Sequence, residues 1–163
     1  MISDAVATAI KMETDAIAFY EEAADKASHP FGKEMLRGFV KDEKRHLAML
    51  QCLFNGLDIQ EIFFRPKETI KTVFSNLKDQ MMERVEALPS EMEAIKIALQ
   101  METEGFHFYG KAAANAPSQK EKELFERLVV EENDHFSILN ETYEFLDNTG
   151  QWYMYEERGI VEG

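Results

Sequence analysis

The sequence has 163 residues, of which 45 % are apolar, enough for one domain with a sizeable buried core. Its formal charge of −13, from 31 acidic and 18 basic side chains, repels phosphate backbones and argues against a nucleic-acid partner. The single cysteine, Cys52, excludes an internal disulfide and a CxxC metal knuckle, and no stretch approaches the roughly 18 apolar residues of a membrane span.

Met1-Ile2-Ser3-Asp4 lacks the basic start and long apolar run of a secretory leader, which with the lone cysteine predicts a cytoplasmic protein. Helical periodicity dominates, and period-two alternation of β-branched residues is scarce. The first helix is predicted over roughly Asp4 to Ala27, with Ser3 as its N-cap, and Pro30 and Gly32 mark the turn after it. The second runs from about Lys33 to Leu53, with Cys52 packing near its end and Asn55-Gly56 as its stop. Residues 55–89 form a long crossover, in which Ile70, Val73, Phe74, Leu77, Met81, Val85 and Leu88 recur at helical spacing and predict a short extra helix. The third helix starts at Ser90, where Ser90-Glu91-Met92-Glu93 has capping-box form, and ends near Pro117. The fourth is predicted over Gln119 to Leu146, stopping before Asn148-Thr149-Gly150. The tail, residues 150–163, carries Trp152, Tyr153 and Tyr155, aromatics suited to covering the bundle or a subunit interface. The expectation is a single all-α domain over residues 1–163.

The two halves repeat. Ile10-Lys11-Met12-Glu13-Thr14-Asp15 matches Leu99-Gln100-Met101-Glu102-Thr103-Glu104, and the segment Val40 to His46 matches Val129 to His135. Glu13 and Glu102, Tyr20 and Tyr109, Glu43 and Glu132, and His46 and His135 are each 89 residues apart, so one helical hairpin has been used twice. A long crossover between two hairpins lets the second and third helices run parallel, as in ferritin-like four-helix bundles.

Steps of three and four along each helix give the inward stripes. They read Val6, Ile10, Glu13, Ile17, Tyr20, Ala24; then Leu36, Phe39, Glu43, His46, Leu50, Leu53. The second hairpin gives Ile95, Leu99, Glu102, Phe106, Tyr109, Ala113; then Phe125, Leu128, Glu132, His135, Leu139, Thr142, Leu146. Each stripe is apolar except near its middle, where a glutamate appears. Four buried carboxylates repel one another and lose hydration worth several kcal/mol each, and no lysine or arginine sits on these stripes to neutralise them. They could stay protonated only with strongly raised pKa values. Two divalent cations would balance four carboxylates and leave both histidines as neutral ligands. Glu43 and His46, like Glu132 and His135, project from one helical face, and a glutamate from each of two helices plus Glu-x-x-His from each of the others is a dinuclear carboxylate pattern. The predicted ligands are therefore Glu13, Glu43, His46, Glu102, Glu132 and His135. This donor set suits two iron ions, with manganese or zinc possible. His29, in a turn, and His107, off the stripe, are predicted to be surface or packing residues.

These residues closely resemble the ferritin-like superfamily and, within it, the di-iron domain of rubrerythrins, across all four main helices. By that resemblance Glu43 and Glu132 would bridge the metals, Glu13 and His46 would complete one shell, and Glu102 and His135 the other. Tyr20 and Tyr109 match the family's tyrosines that hydrogen-bond ligand carboxylates. Two departures stand out. Rubrerythrins usually carry a further glutamate three residues after the helix-three ligand, where this chain has Gly105, with Ala16 as its repeat partner; these small residues are expected to leave room beside the metals or to allow close helix packing. One cysteine also cannot build the four-cysteine rubredoxin centre.

The resemblance implies a di-iron oxidoreductase that reduces hydrogen peroxide or dioxygen with electrons from a separate, rubredoxin-like donor, and a homodimer. Alternatives are an iron-handling ferroxidase and a metal-stabilised binding module without turnover.

Overall fold

The structure, a computed structural model, describes residues 3–57, 65–68 and 87–150. Four long helices account for most of them: α1 (Asp4–Lys26), α2 (Pro30–Phe54), α3 (Pro89–Ala114) and α4 (Gln119–Thr149). Capping chemistry explains where they depart from the expected boundaries. α2 begins at Pro30 rather than Lys33, because proline at a first helical position lacks only an N–H that has no partner within the helix. His29 is its N-cap and is fully buried, its Nδ1 accepting from the Phe31 N–H at 3.0 Å. α3 begins at Pro89, not Ser90, for the same reason, and Glu91 rather than Glu93 reaches back to the Leu88 N–H at 2.8 Å. α4 runs three residues past Leu146 and stops at Gly150, whose φ of 73° suits a residue without Cβ and whose N–H bonds to the Leu146 carbonyl at 2.7 Å.

Ser3 precedes α1 as expected, but its hydroxyl does not cap that helix. It donates instead to Glu121 Oε2 at 2.7 Å, near the start of α4. At the other end of the molecule Ser28 Oγ donates to Glu91 Oε1 at 2.7 Å. Each serine–glutamate pair ties one hairpin to the other.

The hairpins α1–α2 and α3–α4 meet in two apolar layers. One holds Tyr20, Ala24, Met35, Phe39, Ile95, Ile138 and Leu139. The other holds Val6, Ala9, Leu50, Leu53, Tyr109, Phe125 and Leu128. The first layer takes the N-terminal halves of α2 and α3 and the C-terminal halves of α1 and α4, so α2 and α3 run parallel, and α1 and α4 run parallel. This is the all-α ferritin-like bundle. Burying each Leu, Phe or Met side chain contributes about 1.5–3 kcal/mol, so the two layers clamp whatever lies between them.

α2 and α4 bury every residue of their expected stripes. α1 and α3 are turned slightly: Ile10, Ile17, Leu99 and Phe106 are only half-buried, while Ala9, Ala98, Gly105 and Ala112 are buried. Small residues take inward positions on these two helices, and the larger neighbours lie toward the rim. Residues 66–68 form one helical turn. The predicted extra helix lies, except for Leu88, outside the described residues, and the tail after Gly150 lies wholly outside them. Among the described residues no helix is long and apolar enough to cross a membrane.

Candidate metal centre

Between the two apolar layers lies a polar one. Glu13 of α1, Glu43 and His46 of α2, Glu102 of α3, and Glu132 and His135 of α4 are each no more than 4 % exposed. One ligand atom from each of Glu13, Glu43, His46 and Glu132 lies within 4.8 Å of the other three, and the same holds for Glu43, Glu102, Glu132 and His135. All six predicted residues are thus brought together in one chain, with Glu43 and Glu132 common to both groups. His29 and His107 are apart from it, the first buried as a helix cap and the second exposed.

Both imidazoles turn Nδ1 inward. His46 Nδ1 is 3.3 Å from Glu43 Oε2 and 3.3 Å from Glu132 Oε1; His135 Nδ1 is 3.1 Å from Glu43 Oε1 and 3.3 Å from Glu102 Oε1. Their Nε2 atoms face outward to other carboxylates: His46 Nε2 is 2.9 Å from Glu131 Oε1, and His135 Nε2 is 2.7 Å from Asp42 Oδ2. A carboxylate accepts, so Nε2 carries the hydrogen and, in the neutral ring, the Nδ1 lone pair faces the cluster.

The cluster's own hydrogen bonds do not satisfy it. Glu13 Oε2, Glu43 Oε1, Glu102 Oε2, Glu132 Oε1 and His135 Nδ1 are buried without a hydrogen-bond partner. Such an atom costs about 1–3 kcal/mol, and more when charged. A cation between them would satisfy all four inward acceptor oxygens and the ring nitrogen together, and the donors form two overlapping groups, each able to hold one ion.

Titration behaviour reflects the same crowding. Burial, then the charge of Glu43, pushes Glu13 up to about 8. Burial and the charge of Glu102 raise Glu132 well above the usual carboxylate range. Burial and the charge of Glu132 push Glu43 up too, but the adjacent Glu13 carboxyl and both imidazoles prevail and hold it below its ordinary value. Burial alone would lower both histidines; the surrounding carboxylates outweigh it and raise them well above 6.5. Protons here do part of what cations would do.

Tyr20 donates to Glu102 Oε1 and Tyr109 to Glu13 Oε1, each phenol on one hairpin serving a carboxylate of the other. Burial and the adjacent carboxylates hold both phenols protonated well above the usual tyrosine range. Gly105 and Ala16 line a cavity of about 230 Å³ between α1 and α3, together with Met12, Met101 and the four glutamates. Both small residues thus border open space. A Cβ on Gly105 would lie 3.5 Å from Glu132 Oε2, an ordinary contact. Asp15 and Glu104, both exposed, stand at the rim of this cavity.

Asp42 and Glu131, which orient the imidazoles, were not singled out on the sequence. A signal was present: both are acidic, both directly precede the glutamate of Glu-x-x-His, and they are 89 residues apart. Inward-stripe reasoning overlooks them because each lies to one side of the stripe. The repeat breaks next to them, where Arg45 is replaced by Asp134. Arg45 forks onto Glu131, and Arg65, from the segment between the hairpins, grips Asp134 through two bonds of 2.8 Å.

Comparison with curated proteins returned no match, and comparison with solved structures returned none either. The family model described as Rubrerythrin matches residues 4–143, a span that includes all four helices up to Tyr143 and every residue of the cluster, and the chain belongs to the rubrerythrin family.

Proposed function

We propose that the protein is a non-haem di-iron oxidoreductase that reduces hydrogen peroxide or dioxygen with electrons from a separate donor. Glu13, Glu43, His46 and Glu132 would hold one ion and Glu43, Glu102, Glu132 and His135 the other, with Glu43 and Glu132 common to both half-sites. The observation that carries this reading is the cavity between α1 and α3: it leads from the surface to all four glutamates, and Ala16 and Gly105 leave it open to a molecule the size of peroxide. A purely structural metal site is closed, whereas a reactive one keeps a way in.

When bound, the two irons supply one electron each, which with two protons takes hydrogen peroxide to two waters. The chain's own residues do the rest. Tyr20 and Tyr109 keep an O–H directed at Glu102 and Glu13, and the outward Nε2 bonds fix each imidazole with its lone pair inward. The apolar layers exclude water except through the cavity. The 163 residues hold one cysteine and so no four-cysteine iron centre, and in this reading a donor of the rubredoxin type supplies the electrons. A cytoplasmic homodimer is the assembly that accords with this reading.

The acidic rim formed by Asp15 and Glu104 favours a second reading, in which ferrous ion enters and is oxidised for iron handling. Protein loaded anaerobically with ferrous ion and supplied with a chemical reductant separates the two. Catalytic loss of peroxide, two electrons drawn from the reductant for each peroxide, supports the reductase. A single burst of ferric absorbance without turnover supports iron oxidation.

A further inference from the structure

The two half-sites have the same ligands, the same crossed tyrosine and the same kind of outward carboxylate behind the histidine. They differ one layer further out. Behind His46, Glu131 is bound by the guanidinium of Arg45, and its neighbour Asp134 by that of Arg65. Behind His135, Asp42 is 4 % exposed, and His135 is its hydrogen-bond partner, with no cation bonded to it among the described residues. A carboxylate that shares its charge with a guanidinium polarises an imidazole N–H less than one that does not. The imidazole behind which the full charge stands is the stronger donor at its other nitrogen.

We infer that the half-site of Glu102 and His135 binds a divalent cation before the half-site of Glu13 and His46, with Asp42 and the Arg45–Glu131 pair setting that order. The inference rests on the metal-centre reading above. Asp42 and Arg45 act here as positioning residues: neither touches the metal, and each acts through a histidine. Losing an outward partner of a metal-bound histidine costs about 10- to 100-fold in affinity, so weakening one of the two with a guanidinium should separate the half-sites by up to about that factor. The consequence is a protein that passes through a defined one-metal state, in which the remaining vacancy is always on the Arg45 side.

The test follows the two imidazoles separately. Zinc, which is diamagnetic, is added stepwise to the full chain carrying ¹⁵N-histidine, and the ring-nitrogen resonances are assigned with His46→Gln and His135→Gln. At the first equivalent the resonances of His135 shift and those of His46 do not; the second equivalent moves His46. Asp42→Asn keeps an oxygen that accepts from Nε2 but removes the charge, and it should reverse the order. Arg45→Gln should make both rings respond together. His46 responding first, or both rings responding in step in the unsubstituted protein, overturns the inference, and so does an order unchanged by Asp42→Asn. If that variant does not fold, the order in the unsubstituted chain decides alone. Neither ring responding to zinc would instead defeat the metal-centre reading itself.

Discussion

Tyr20 and Tyr109 each follow a cluster glutamate of their own helix by seven residues, about two turns and roughly 10 Å along the axis. That is too far for a phenol to reach its own glutamate. It reaches the partner helix instead, because α1 and α3 run antiparallel and each tyrosine sits in the apolar layer that flanks the other's carboxylate. Both tyrosines were legible as core and, through the family resemblance, as carboxylate partners; the crossing was not, because it depends on helix direction. Replacing the donor strands a buried carboxylate oxygen. Tyr20→Phe and Tyr109→Phe are each expected to destabilise the metal-free protein by about 1–3 kcal/mol, read from urea unfolding. Unchanged midpoints would mean that these bonds do not hold the carboxylates.

α3 carries a glycine in its interior where α1 carries alanine, at a cost of about 1 kcal/mol in helix stability. The cavity accounts for its presence. Gly105→Ala adds a methyl at ordinary contact distance from Glu132, so it should raise thermal stability by up to about 1 kcal/mol and leave metal content intact. Gly105→Leu should fill the cavity and slow peroxide consumption several-fold at unchanged metal content. Equal turnover in that variant would show that the oxidant takes another route. At this scale the helices and their inward faces were legible from periodicity and from the constant 89-residue offset. The ends are less so: the pattern puts Pro30 in the turn before α2 and Pro89 at the end of the crossover, whereas each opens a helix. The rotation of α1 and α3 toward Ala9, Ala98 and Gly105 also escapes a scheme that ranks residues by apolarity, since such a scheme passes over small side chains.

For the whole molecule, the crowded polar layer sets how stability responds to pH. In the metal-free protein Glu13 titrates near 8 instead of its ordinary 4.5, and Glu132 is raised as well. Such groups stabilise the fold while protonated, and that contribution is lost as pH climbs from the unfolded value through the folded one. His46 and His135 are raised above 6.5, so their contribution is full below that value and is also lost as pH rises through their folded pKa. The four act in the same direction across neutral pH. Glu131, held down at about 2 by His46 and Arg45 against the pull of burial, acts oppositely, but its contribution is lost only as pH falls below its ordinary 4.5. Metal-free protein should therefore lose thermal stability as pH rises from the ordinary carboxylate value of 4.5 to about 8, while bound cations take over the protons' role. Calorimetry should show the gap between the melting temperatures of loaded and metal-free protein widening over that interval; a constant or narrowing gap would contradict the assignment of these groups.

The functional reading depends on the polar layer being a two-cation site. The direct test is anaerobic loading with ferrous ion, removal of excess, and elemental analysis of metal per chain, run in parallel on the unsubstituted protein, Glu43→Ala, Glu132→Ala and His107→Ala. Two irons per chain in the unsubstituted protein and in His107→Ala, with substoichiometric iron in both glutamate variants, is the predicted result. Equal iron in all four proteins, or none in any, would contradict it.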